Sequence, residues 1–233
     1  MDIRKDLSTK DSLSHDFIDD LNTLITKADR ESPGVNLLAH SRNVGTYSKF
    51  IFENLPDYER KEWGNTNASQ VYNAGKYHDI GKVFIESFHK GMLDKLKFDD
   101  IDRFNVQEHI TGGTVILQAV ASLNDITDIN TSAYKMLMDA CLYHHERTDG
   151  GGYLHVTGNS IPRIGSLVAV ADCFSAGIEK RVYSDPKGMK EVLGELKELP
   201  LSQIYVNALE KALVVNRLIE SDLVNVKDKG ITP

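Results

Sequence analysis

The sequence is short of several things, and each shortage excludes a class of protein. It has two cysteines in 233 residues, so Cys141 and Cys173 read as small buried thiols and not as a disulfide framework. Long apolar runs are missing. The longest, at 166–171 and 212–215, fall far short of the ~20 residues a membrane helix needs, so no membrane span is expected. The first fourteen residues mix charge with hydroxyls and carry no apolar stretch, which excludes a secretory signal there and makes the cytoplasm the expected location. A basic excess is also absent. With 27 Lys and Arg against 34 Asp and Glu the formal charge is −7, the wrong sign for binding polymeric nucleic acid. A charged substrate would have to be met at a small local site. Gly150 to Gly152 lack the Lys and hydroxyl that would follow in a Walker-type phosphate loop.

What is present is helical periodicity. Leu37, Val44, Tyr47, Ile51 and Leu55 recur at intervals that place them on one stripe of a helix over 36–55. Further helices are predicted at 12–30, 69–80, 98–122, 131–145, 164–178, 186–196 and 202–220. Ser184, Asp185 and Pro186 read as the entry of the 186–196 helix, a capping side chain before a first-turn proline. Two segments, 82–96 and 147–162, read as loops from their mixed composition and glycines. No internal repeat, Ser/Pro-rich linker or charge block divides the chain. The expectation is an all-α fold, a single compact helical bundle over 1–233, with an N-terminal helix in 1–35, a motif core over 36–183 and C-terminal helices in 184–233.

The histidines carry the chemistry. Five of eight, His40, His78, His109, His144 and His145, fall on or beside apolar helical faces, while His15, His89 and His155 read as surface or loop residues. Singly, each of the five is an ordinary core or surface histidine; together they point to an ion cluster deep between helices. His78-Asp79 and His144-His145 are adjacent pairs, and neighbours on a helix point ~100° apart. Asp172 interrupts the apolar run Leu167 to Phe174, where an unpaired carboxylate would be very costly to bury. Five imidazoles and two carboxylates exceed what one tetrahedral zinc takes, so two adjacent ions fit better. Nitrogen and oxygen donors without thiolate suit iron, manganese, cobalt, nickel or zinc. A two-metal cluster sharing one carboxylate activates water near neutral pH and clamps a phosphoryl centre, which is the chemistry of phosphate-ester hydrolysis.

In order along the chain stand His40, His78-Asp79-Ile80-Gly81-Lys82, Glu108-His109, His144-His145-Glu146-Arg147, Asp149-Gly150, Gly152-Tyr153, Ala171-Asp172 and Arg181-Val182-Tyr183. The series resembles the HD-GYP family, a branch of the HD-domain phosphohydrolases. The resemblance implies an all-α phosphodiesterase that opens cyclic di-GMP to the linear dinucleotide, in some members onward to GMP. It implies two divalent transition-metal ions, iron or manganese before nickel, cobalt or zinc. His40, His78 and Asp172 would hold one, His109, His144 and His145 the other, and Asp79 would bridge them. Lys82 and Arg181 would contact phosphate, with Arg147, Tyr153 and Tyr183 among the substrate contacts.

Three positions depart from the family pattern. Leu154 replaces the proline of Gly-Tyr-Pro, which removes a fixed φ and leaves loop order open. Ser175 stands where a further Asp is usual, with an effect expected on packing or on hydrogen bonds around the ligands. Asn36 stands one turn before His40, where some members carry a metal-binding Glu, so a third ion is not expected. Two other readings remain beside the cyclic dinucleotide one: an HD-class hydrolase of a mononucleotide or other phosphate ester, and an inactive module that binds a dinucleotide or docks a partner. The stripe Ile204, Ala208, Ala212, Val215 and Leu218 to Ile219 is read as core or as packing in a homodimer.

Overall fold

The apolar stripe predicted on 36–55 becomes the element around which the other helices assemble. In a computed structural model that describes residues 13–31, 36–88, 92, 93, 95, 97, 99–126, 131–180 and 185–219, this helix is α2 (Leu37–Glu53), preceded by α1 (His15–Glu31). Then follow α3 (Asp57–Lys61), α4 (Ala68–Tyr77), α5 (Lys82–Phe88), α6 (Asp100–Gln107), α7 (His109–Leu123), α8 (Ser132–Tyr143), α9 (Arg163–Ile178), α10 (Met189–Glu198) and α11 (Gln203–Val215). Among the described residues there is no β-strand, and no helix is long and apolar enough to cross a membrane. The all-α expectation holds.

Helix α2 packs chiefly against α4 and α9. Val44 and Ile51 are fully buried in that contact, and Leu37 and Leu55 nearly so. Each such aliphatic side chain contributes roughly 1.5–3 kcal/mol of transfer free energy. One continuous cluster of buried residues runs from Phe17 of α1 to Leu213 of α11. The run from Leu167 to Ala171 in α9 is buried on every side, as its composition predicts. Cys141 is a buried free thiol and Cys173 a partly buried one.

Several boundaries differ from the sequence reading, each for a local reason. Residues 82–88 are helical and not a loop: the turn after α4 carries straight into α5, with Lys82 N donating to Asp79 O and Val83 N to Ile80 O. The span 98–122 is two helices, because Glu108 closes α6 and opens α7 on consecutive turns; the apolar period runs through the break and conceals it. Helix α10 begins at Met189 after an extended Gly188, not at Pro186, since Lys187 N donates to Gly177 O at the end of α9 and is not available to a helix there. On α11 the buried face is Tyr205, Val206, Ala208, Leu209, Ala212 and Leu213, whereas Ile204, Val215 and Leu218 are exposed. Of the predicted stripe, Ala208 and Ala212 thus lie in the core, and Ile204, Val215 and Leu218 lie on the outer face. The short α3 has no apolar period and no buried residue, which is why periodicity misses it.

Gly81 sets how closely the α4–α5 turn approaches α7. A Cβ there would collide with the carbonyl oxygen of His109 and lie 2.5 Å from Gly113 N, and both are backbone atoms that cannot turn aside. Gly194 on α10 is exposed and has open space around its Cα. Gly81→Ala is expected to destabilise the fold by about 3 kcal/mol, the upper range for overpacking, while Gly194→Ala gains about 0.5–1 kcal/mol from helix propensity. Denaturant unfolding of the two variants checks both signs.

Candidate metal centre

The centre lies where helix ends converge. His78 is the residue that terminates α4, and Asp79 follows in the turn to α5. His109 is the first residue of α7, His144 and His145 follow α8, Asp172 lies in α9, and His40 comes from the first turn of α2. His40, His78, Asp79, His109 and His144 are buried. His145 and Asp172 are partly so.

Hydrogen bonds fix how the rings face. His78 Nδ1 lies 2.6 Å from Gly75 O, His144 Nδ1 lies 2.8 Å from Ala140 O, and His109 Nδ1 meets Val106 O. A carbonyl only accepts, so these contacts assign the proton to Nδ1 and leave Nε2 of the neutral ring with a lone pair. All three Nε2 atoms turn inward, as does that of His40, whose Nδ1 lies 2.9 Å from Glu179 Oε2. They surround Asp79 and Asp172. Asp79 Oδ2 is 3.3 Å from His78 Nε2 and 3.8 Å from His40 Nε2; Asp79 Oδ1 is 3.3 Å from His109 Nε2 and 3.6 Å from His144 Nε2. Asp172 Oδ1 stands 3.1 Å from His40 Nε2 and 3.8 Å from His78 Nε2.

Two donor sets result, each with ligand atoms within 4.8 Å of one another: His40, His78 and Asp172, and Asp79, His109, His144 and His145. Asp79 presents one oxygen to each side. His78 Nε2 and Asp79 Oδ1 are buried without a hydrogen-bond partner, and His109 Nε2 lies 3.2 Å from His144 Nε2. In neutral rings that places lone pair against lone pair. A cation relieves all three conditions at once, so the residues present fit divalent metal.

Charge follows the same geometry. Burial alone would raise Asp79 and Asp172, but Lys82 and His78 beside the first, and His40 and His78 beside the second, hold both well below the usual carboxylate range. Burial would lower His78, yet the two carboxylates outweigh it and raise it to about 10. Burial pushes His109 down to about 3 and, with His144 and His109 adjacent, His145 well below its ordinary value. The ammonium of Lys82 sits on Asp79 Oδ2, one turn along.

The loop after α8 covers one side. Tyr153 lies with its ring centroid 4.4 Å from that of His145. Arg147 donates to Glu146 O at 2.9 Å and His144 O at 3.4 Å, and its Nη2 reaches Cys173 Sγ at 3.4 Å. Arg181 and Tyr183 lie outside the described residues, as does His89. Asn36 is exposed in the left-handed region at φ 52°, just before α2. His15 is exposed and paired with Asp19 at 2.8 Å, and His155 is an exposed loop residue.

Two carboxylates escaped the sequence reading. Glu146 is buried; its Oε1 accepts from Leu154 N at 2.8 Å and its Oε2 from Val156 N at 2.7 Å. The loop thus has an anchor that does not depend on a proline, and Leu154 contributes to it the N–H that a proline lacks. Gly152 passes so close to Glu146 that a Cβ would lie 2.5 Å from its Cα. Glu179, the second, accepts from Asn43 Nδ2 at 2.7 Å and Ser175 Oγ at 2.6 Å besides meeting His40. Burial would raise it, but these contacts, His40 foremost, hold it at about 2. Glu146 stood next to the His144-His145 pair. Glu179 had no signal except the unexplained Ser175 four residues before it.

An all-helical bundle with a buried His/Asp centre suited to divalent metal is the class this geometry defines. Residues 57–205 match the HD domain family, and the chain belongs to that family. His40 lies before the matched span and reaches the centre through the packing of α2. Among curated proteins, the chain is 30% identical over 164 residues to a cyclic di-GMP phosphodiesterase of Thermotoga maritima, covering 69% of this chain and 39% of that one. It is 33% identical over 138 residues to the 3'3'-cGAMP-specific phosphodiesterase 2 of Vibrio cholerae, covering 56% and 23%. A cyclic di-GMP phosphodiesterase of Vibrio cholerae is 32% identical over 149 residues, covering 62% and 29%. The chain therefore spans well under half the length of these relatives.

Two outcomes are expected. Leu154→Pro leaves Glu146 Oε1 without its donor and should lower unfolding stability by about 1–3 kcal/mol, whereas Leu154→Ala keeps the N–H and should change it by less than about 0.5 kcal/mol. Thermal melts of the two variants decide it. An imidazole must be neutral to ligate, and His78, raised to about 10, holds its proton at neutral pH while His109 and His145 already lack theirs. Adding Mn2+ to metal-free protein near pH 7.5 should release about one proton from His78, the release fading as the pH approaches 10 and affinity weakening toward pH 5. Calorimetry in buffers of different ionisation enthalpy counts the protons.

Proposed function

We propose that this chain is a phosphodiesterase of the HD-GYP type that opens a cyclic dinucleotide, cyclic di-GMP foremost, to its linear form, with GMP as a further product. The observation that carries the reading is Asp79, whose two carboxylate oxygens face two separate sets of nitrogen and oxygen donors. Such a pattern suits two divalent transition-metal ions sharing one anion. His40, His78 and Asp172 would hold one and His109, His144 and His145 the other, with iron or manganese placed first by the family resemblance and nickel, cobalt or zinc equally suited to the donor set. When bound, the pair supplies Lewis acidity and lowers the pKa of water enough for attack on phosphorus near neutral pH.

The chain's own residues do the rest. Asp79 would offset charge on both sides of the centre, one carboxylate oxygen facing each donor set. Lys82, the cation already resting on Asp79, supplies positive charge where the non-bridging oxygens of a phosphodiester gain negative charge. Tyr153, laid against His145, offers an aromatic face at the rim of the centre, and Arg147 lends charge to the same loop. Arg181 and Tyr183 are assigned to the substrate by motif alone. The names of the relatives support a cyclic dinucleotide, and the 3'3'-cGAMP enzyme among them makes the mixed dinucleotide the second substrate to try.

Metal-reconstituted protein should be incubated with cyclic di-GMP, 3'3'-cGAMP and a chromogenic phosphodiester, the products being resolved by chromatography. Turnover of a cyclic dinucleotide well above the chromogenic ester is expected, with close to two equivalents of metal per chain. Turnover of the simple ester alone would favour a broader phosphohydrolase; binding without turnover would favour a sensing module. Asp79→Ala should abolish turnover and lower metal content. Lys82→Ala should retain metal and lose on the order of 10² in rate, and loss of metal along with rate would assign Lys82 a structural role.

A further inference from the structure

The inward-facing histidines are held in two ways. His78, His109 and His144 each rest Nδ1 on a backbone carbonyl three or four residues earlier, a partner that no substitution removes. His40 instead meets a side chain from the far end of the motif core, Glu179, at 2.9 Å. Glu179 stands just past the C-terminus of α9, its N–H bonded to Ser175 O at 3.1 Å. Its carboxylate is clamped: Oε1 takes the Ser175 hydroxyl and the Asn43 amide, which leaves Oε2 to face the imidazole.

We infer that Glu179 is the positioning residue of His40, keeping the proton on Nδ1 and turning Nε2 toward Asp172 and Asp79. Ser175 and Asn43 hold it in that pose. The inference rests on the reading of His40 as a metal ligand. A carboxylate on the ring N–H raises the basicity of the other nitrogen and removes ring rotation, and loss of such a partner typically costs 10–100-fold in metal affinity. It also accounts for Ser175. Its hydroxyl, one helical turn before Glu179, donates to Glu179 Oε1 at 2.6 Å and so fixes which carboxylate oxygen faces the imidazole.

The test uses the full chain freed of metal, with Mn2+ as the probe, and compares wild type with Glu179→Ala, Glu179→Gln, and Glu179→Ala combined with Ser175→Asp. Thermal unfolding of each metal-free protein is recorded alongside. The expected result is two equivalents in wild type and a 10–100-fold weaker affinity for one of them in Glu179→Ala, the other unchanged. Adding Ser175→Asp should recover affinity. Equal weakening of both equivalents, or of neither, overturns the inference, because a merely structural role would not single out one ion. Should Glu179→Ala fail to fold, Glu179→Gln, of the same shape, is expected to show a smaller loss confined to the same equivalent, with the same overturning outcomes. If wild type does not bind two equivalents, the metal-centre reading fails, and 15N shifts of His40 in the metal-free protein still decide the positioning role. An Nδ1–H tautomer in wild type that is lost in Glu179→Ala supports it, and the same tautomer in both overturns it.

Discussion

A carboxylate shut away from water must be balanced, and Asp79 is buried with imidazoles on both sides and an ammonium on one oxygen. An uncompensated charge there would cost several kcal/mol even after relaxation. The neighbouring features follow from that need. Two sets of ring nitrogens converge on it, Lys82 lies one turn along from it, and Asp172 sits close enough to the same rings that His78 keeps its proton until something else takes its place. The bundle supplies these groups from six helices or their ends. Lys82 at the start of α5 and His78 at the end of α4 supply the counter-charge to the carboxylate.

Helix ends are the means by which this is done. His78, His109 and His144 occupy the last or first turn of α4, α7 and α8, where the chain changes direction and a side chain can reach inward past its own helix. Gly81 lets the turn after Asp79 press against the start of α7, which brings two of these ends into register. His40 and Asp172 come from within helices, and those two helices, α2 and α9, pack directly on one another. The first donor set thus depends on long-range docking, the second on turns.

Much of this was legible in the sequence. The helices with strong apolar periods appeared close to where they lie, and the histidines were placed at the centre because their clustering on apolar faces has no cheap alternative. The misreadings share one cause: local geometry that periodicity does not encode. Helix α5 was hidden because Lys82 to Phe88 mixes charge with apolar residues, and the α6–α7 break because both sides carry the same period. Glu146 and Glu179 were passed over because a carboxylate that serves a loop amide or a histidine from a distance looks, in sequence, like any surface acid. Leu154 shows the converse, a departure from a motif that gains meaning once its N–H is seen on Glu146.

The three backbone-held rings have a further consequence for assembly. Their Nδ1 contacts belong to the folded helices and turns themselves, so the cost of freezing those side chains falls on folding and not on ligation. An incoming ion meets rings already aimed, displacing only the proton that His78 holds, and little of its binding energy is diverted to ordering the pocket. The bundle is in this sense a template that precedes its metal. It stands opposite to small zinc domains, whose fold waits for the ion.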